Sequence, residues 1–179
     1  MLSRRELTRD LALTLGLGSV LSGMGVPTQV SATQRTIGDD VNVSDGTNKS
    51  RLIDVVNERI SLVNIFTVPC NPCIEEIPVL NEIYRTGFPV LGLFSAPEDY
   101  SNYLTALRET LQQRDLKIEF PNYFLFGEDH EKLWGYTSET GSIGVPHNLI
   151  VESRDIISWS HVGKISRNSL IGKVNQYKL

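Results

Sequence analysis

Apolar residues in this chain fall into two kinds of run, one continuous and one periodic. "ISLVNIF", Ile60 to Phe66, and "FPVLGLFS", Phe88 to Ser95, are nearly unbroken and too short for ordinary helices. That pattern suits strands buried on both faces of a parallel sheet. Between them, "CIEEIPVLNEIYRT" repeats apolar residues at helical spacing through Ile74, Ile77, Leu80, Ile83 and Tyr84. Strand, helix and strand in this order predict a right-handed βαβ unit. A second amphipathic helix follows in "EDYSNYLTALRETLQQRD", with Tyr100, Leu104, Leu107 and Leu111 on one face. Next come a short strand at "NYFLF", Asn122 to Phe126, and a helical piece at "DHEKLWGY". Two strands, "NLIV" and "DIISWSH", joined at Ser153-Arg154, lead to a closing helix whose Leu170, Ile171, Val174 and Tyr177 share a face. Ahead of all this, "RLIDVVN" reads as a helical turn or short strand.

The N-terminal part is patterned differently. Residues 1–32 begin polar and basic, continue with the glycine-rich apolar stretch Leu11 to Val26, and end in the small residues "VSA". This is the layout of an export signal cleaved after Ala32. Its apolar part falls short of the ~20 residues of a spanning helix, so a cleaved signal is favoured over a membrane tether. "SRRELTR", with Arg4-Arg5 and Leu7, resembles the twin-arginine motif, although a basic start also serves general secretion. Residues 33–50 are polar with isolated apolar positions and a turn at Asp45-Gly46, which reads as a lead-in with at most a hairpin around "VNV". The folded domain is thereby expected over 51–179.

Composition adds limits rather than direction. With 40% hydrophobic and 21% charged residues, the 179-residue chain has the profile of a globular protein with one core. A net charge of −4 without a basic run excludes the electrostatic footprint of a DNA- or RNA-binding protein. A monomer is expected.

The chemistry gathers in "NIFTVPCNPCIEEIPVL", which holds both cysteines, Cys70 and Cys73, at C-x-x-C spacing. Where a helix starts, its dipole and free N–H groups favour a thiolate on the first cysteine. Cys70 would attack and Cys73 would resolve the mixed disulfide. Pro72 suits the first helical turn, where a missing N–H costs nothing. A bridge closing so short a loop removes little entropy from the unfolded chain, so stabilisation alone is a weak reason for the pair.

The βαβαβ half, the later hairpin, the terminal helix and the C-x-x-C at the first strand-to-helix junction together resemble the thioredoxin fold, an α/β fold with a central mixed sheet flanked by helices. Within it the sequence is similar to the exported TlpA/ResA-like thiol-disulfide oxidoreductases over Arg51 to Leu179. The resemblance implies a cis Val145-Pro146 bond facing the cysteines, with the Val145 backbone open to an extended substrate segment. Pro69, Asn71 and Pro72 would line the same substrate contact. "CIEEIP" is similar to that family's C-x-x-E-x-P, which makes Glu76 the candidate proton acceptor for Cys73, sends Glu75 to solvent and kinks the helix at Pro78. The resemblance also implies a periplasmic location, cysteine-containing substrate proteins, a membrane thiol electron donor, a part in protein or cytochrome c maturation, and no bound cofactor. It departs at Pro69, where the family usually has tryptophan.

Other chemistries fit less of the sequence. Cys70 and Cys73, with His147 as a third ligand, could carry copper(I), whereas zinc normally takes four ligands. Thr67, three residues before Cys70, echoes the T-x-x-C of peroxiredoxins, but Val63 stands where those enzymes have proline. His147 at a strand start reads as solvent-facing, His130 and His161 have no ligand pattern, and Trp134 and Trp159 read as core or surface aromatics.

Overall fold

The computed structural model describes residues 35–38, 40–56, 60–96, 100–137, 144–152 and 156–178. The expected export signal and the Ser153-Arg154 turn lie outside them. In chain order the elements are β1 (Arg35–Thr36), β2 (Asn42–Ser44), β3 (Lys49–Arg51), α1 (Leu52–Val56), β4 (Ser61–Phe66), α2 (Asn71–Arg85) and β5 (Val90–Ala96). They continue with α3 (Tyr100–Gln113), β6 (Asn122–Phe126), α4 (Gly127–Thr137), β7 (His147–Glu152), β8 (Ile156–Val162) and α5 (Arg167–Asn175).

The strands form one mixed eight-stranded sheet in the order β1-β8-β7-β4-β5-β6-β2-β3. β5 runs parallel to β4 and to β6, the signature of two crossover connections through α2 and α3. β7 pairs antiparallel with both β4 and β8. Every residue of β4 and β5 is buried, as their unbroken apolar runs predict for central strands covered on both faces.

Alternation along these strands divides the core into two layers. Val63, Ile65, Leu91, Leu93, Leu149 and Val151 face Leu133 and Trp134 of α4 and Leu52 and Val56 of α1. On the other face, Leu62, Val90 and Ile150 meet Leu80 and Ile83 of α2 and Leu170 and Val174 of α5. Phe66, Phe94 and Phe124 meet Ile74 and Ile77 of α2 and Leu107 of α3, with Leu104 and Leu111 packed alongside. The side chain of Tyr100 lies outside the described residues. Ile171 and Tyr177 flank the α5 contact, as their shared face predicts.

The segment before residue 51 differs from its reading as a lead-in. The hairpin around Val43 does form, with β2 and β3 in antiparallel register, but it is an edge of the sheet, joined to β6 through the Ser44–Phe124 pair. At the opposite edge, β1 pairs with β8. Ile37, Val41 and Val43 are almost fully buried within the α4-side core. Edge strands with one buried face need only every second residue apolar, so this stretch has the composition of a linker while acting as part of the domain. The domain therefore includes the described residues from Arg35 onward.

Candidate active site

β4 ends at Phe66, and the chain turns through Thr67, Val68 and Pro69 to reach Cys70, the N-cap of α2. Cys70 has an extended backbone, which ends the approach and lets the helix start at Asn71. Cys70 and Cys73 are joined in a disulfide, with Cα atoms 5.3 Å apart. The Cys73 N–H donates to Cys70 Sγ at 3.2 Å, so the first sulfur occupies the position where a side-chain oxygen normally caps a helix. Negative charge developing on that sulfur meets a free N–H and the positive end of the fifteen-residue α2. Pro72 sits in the first turn, as its missing N–H allows.

The two sulfurs occupy unlike environments. Cys70 is half-buried at the edge of the phenylalanine-rich core, and Cys73 is fully buried within it. One thiol can reach a partner protein and the other can reach only its neighbour. Around Cys70, Pro69 and Asn71 are exposed and Pro72 is half-buried. The Arg114 guanidinium, just past α3, donates to Asn71 Oδ1 at 2.7 Å and brings a cation to this rim.

The Val145-Pro146 bond is cis, as expected, and so is Val68-Pro69, which the sequence did not suggest. Pro146 leads into β7, whose first residue, His147, is in register with Ile65 near the end of β4. That register carries the proline turn to the sheet end from which Cys70 departs. Val145 packs against the same core cluster as Cys70 and Cys73. The Pro146 carbonyl accepts from the Gly163 N–H at 2.7 Å, tying this turn to the segment that follows β8.

Glu76 lies one helical turn beyond Cys73, on the same face of α2 and just 3% exposed. Burial raises its carboxyl above the ordinary value, opposed by the Asn148 amide, the Ile165 N–H, His161 and Lys164. Glu76 Oε2 accepts from Asn148 Nδ2 at 3.0 Å, and Oε1 accepts from the Ile165 N–H at 3.0 Å. Glu75 points outward, as expected, and forms an ion pair with Lys164 at 2.5 Å. Pro78 lies inside α2.

The buried amides Asn64 and Asn148 and the Ile165 N–H are parts of this site that the sequence reading passed over. Their trace was present, since Asn64 interrupts "SLVNIF" and Asn148 interrupts "HNLIV". A polar residue inside a strand buried on both faces requires a buried partner.

His147 is corrected outright: it is fully buried rather than solvent-facing. As the residue beside Asn148 in β7, it points to the opposite face of the sheet, where its ring stacks on Trp134 with centroids 5.7 Å apart. Its Nε2 meets Ser160 Oγ at 2.8 Å, and burial, with repulsion from His161, pushes its pKa down to about 4. A neutral ring on the far face neither supports a Cys70 thiolate nor completes a copper site with the two sulfurs. His130 also has a place in the fold: its Nε2 accepts from the Trp134 indole N–H at 3.0 Å, which leaves Nδ1 to donate to Ser95. Trp134 is a core residue, and Trp159 is partly buried beside α5.

Sequence comparison matches the chain to no family model and to no curated protein. Structure comparison finds many likenesses. The thioredoxin domain of a thiol-disulfide oxidoreductase from Bacteroides vulgatus matches with a TM-score of 0.62 and 18% identity, covering 82% of this chain and 97% of that one. A thiol:disulfide interchange protein of the thioredoxin family from Chlorobium tepidum gives 0.59 and 19%, covering 80% and 97%. An exposed lipoprotein thioredoxin from Streptococcus pneumoniae gives 0.55 and 12%, covering 75% and 97%. The fold is thioredoxin-like, as the sequence pattern led one to expect.

Proposed function

We propose that this protein is a thiol-disulfide oxidoreductase that exchanges a dithiol for a disulfide with cysteine-containing partner proteins. The observation that carries the reading is the asymmetric pair at the start of α2: a reachable Cys70 at the helix N-terminus, bonded to a fully buried Cys73. Solved proteins with the same fold are thiol-disulfide oxidoreductases and interchange proteins by name, which is in keeping with it.

In the reducing direction, the Cys70 thiolate attacks a disulfide of the partner. The partner's S–S bond breaks, a Cys70–partner bond forms, and the released partner thiolate takes a proton from water. Cys73 then gives its proton to the Glu76 carboxylate and attacks Cys70 sulfur. The Cys70–Cys73 bond forms as the second partner thiolate leaves, so two electrons have passed to the partner. A membrane thiol donor restores the dithiol. Val145, with Pro69, Asn71 and Pro72, offers the surface on which the partner segment rests before attack, and Pro146 holds the Val145 backbone toward it. The N-terminal pattern supports a periplasmic protein exported by the twin-arginine route, acting as a monomeric reductase in protein or cytochrome c maturation.

The test is partner trapping. Cys73→Ala should accumulate mixed disulfides on Cys70, and Cys70→Ala should accumulate none. Equal trapping by both variants, or none by either, refutes the assigned roles. Glu76→Gln should remove an inflection from the pH profile of mixed-disulfide resolution, and an unchanged profile ends its role as acceptor.

A further inference from the structure

One row of residues crosses the sheet directly beneath α2. The strand registers place His161 opposite Asn148, Asn148 opposite Asn64, Asn64 opposite Gly92, and Gly92 opposite Asn122. The rows on either side on this face are apolar, with Leu62 and Ile150 in one and Phe66 and Phe94 in the other. At the centre of the row, Asn64 and Asn148 are 1% and 0% exposed. Two amides buried in the middle of the sheet carry a desolvation cost that only well-placed partners offset.

Their partners are each other and one carboxyl. Asn64 Nδ2 donates to Asn148 Oδ1 at 2.9 Å, and Asn148 Nδ2 donates to Glu76 Oε2 at 3.0 Å. Asn64 Nδ2 also approaches Glu76 Oε2 at 3.4 Å. Asn148 accepts on one side and donates on the other, so an ionised Glu76 fixes the orientation of both amides. We propose that Asn64 and Asn148 are positioning residues for Glu76, a cross-strand amide clamp that fixes the carboxyl one turn from Cys73 and holds it in whichever protonation state the exchange cycle requires.

The choice of amides is what suits them to this task. A buried arginine or lysine here would bind the carboxylate and keep it ionised. Left in an apolar pocket, the same carboxyl would stay protonated. An amide donates and accepts, so it serves the carboxylate through Nδ2 and, after rotation, the carboxylic acid through Oδ1. The proton moves from Cys73 sulfur to a Glu76 oxygen, and the net charge of the pair is unchanged. Other groups facing Glu76 are His161 from β8 and Lys164 and the Ile165 N–H from the segment after β8, with Cys73 one turn earlier on its own helix. Lys164 is shared with Glu75, so its cation is partly committed to the surface.

The proposal rests on Glu76 as proton acceptor, and its test separates the two ideas. Resolution of a preformed Cys70 mixed disulfide is followed against pH in the unaltered protein and in Asn148→Leu, which keeps the γ-branched shape while removing the donor. Asn148→Ala, which also removes the donor, serves the same comparison in case the leucine variant fails to fold. Loss of a hydrogen bond to a charged group should move the Glu76 inflection up by about one pH unit. Carbon-13 NMR of the Glu76 carboxyl should show the same shift. In a Glu76→Gln background the Asn148 change should move no inflection. If Glu76→Gln abolishes the inflection and neither Asn148 variant displaces it, the clamp is refuted and the acceptor stands. If Glu76→Gln leaves the profile intact, both fall. A shift of equal size in the Glu76→Gln background also refutes the clamp, because it would arise elsewhere.

Discussion

Acidification should destabilise this fold through His147, and the size of the effect follows from its surroundings. The ring is fully buried between β7 and α4, stacked on Trp134, with Nε2 on Ser160 and with no hydrogen-bond partner for Nδ1 among the described residues. Its pKa falls from 6.5 to about 4. The unfolded chain therefore binds a proton near pH 6.5 that the folded protein refuses until about pH 4. In that window the unfolded state holds more protons, so stability rises with pH and is lost on acidification. At pH 4.5 the loss amounts to about 2–3 kcal/mol relative to neutral pH, from a little over 1 kcal/mol per pH unit across the window. His147→Phe keeps an aromatic ring against Trp134 and removes the titration. Urea unfolding of both proteins at intervals from pH 7.5 to 4.5 should show the stability difference moving in favour of the phenylalanine variant by about that amount as pH falls. Glu76 works in the opposite sense, since burial raises its folded-state proton affinity and favours the folded protein at low pH, but it is common to both proteins and cancels in the difference. Parallel pH dependences would show that the His147 environment admits the proton, and the reasoning would fail.

Two further outcomes follow from the packing. Ile37→Ala, in the segment that reads as a linker, should cost about 2–5 kcal/mol in urea unfolding because Ile37 is 1% exposed in the α4-side core; a change below about 0.5 kcal/mol would return the segment to linker status. Gly92→Ala should cost about 1–3 kcal/mol, because its Cβ would stand 2.3 Å from Asn122 Oδ1 and 2.9 Å from Phe120 Cε2, whereas Gly172→Ala at an exposed position of α5, with nothing among the described residues within 4 Å, should gain about 0.5–1 kcal/mol; a thermal melt in which the two shift alike would contradict this.

Much of this architecture was legible because its signals are local. The unbroken apolar runs of β4 and β5, the helical spacing of α2 and the cysteine pair at their junction are properties of neighbouring residues, and each element appeared where its pattern placed it. Glu76 was legible through the resemblance of "CIEEIP" to a family motif, C-x-x-E-x-P. His147 was not, because facing solvent or core at a strand start depends on α4 lying across it. β1, and the place of the β2–β3 hairpin at the sheet edge, were missed for a related reason: single buried residues at a sheet edge leave too sparse a pattern to distinguish from a polar linker.

The sequence by itself determined that two thiols would stand at the start of a helix fed by a buried strand, since periodicity and spacing act over a few residues. Tertiary structure alone decided what surrounds them. Glu76 meets Asn64, Asn148 and the Ile165 N–H across 12, 72 and 89 residues of chain, and strand register aligns the amides in one row beneath α2. Register is set by the collective burial of all the strands rather than by any one segment. The proton affinity of the carboxyl beside the thiols is therefore a property of the whole sheet.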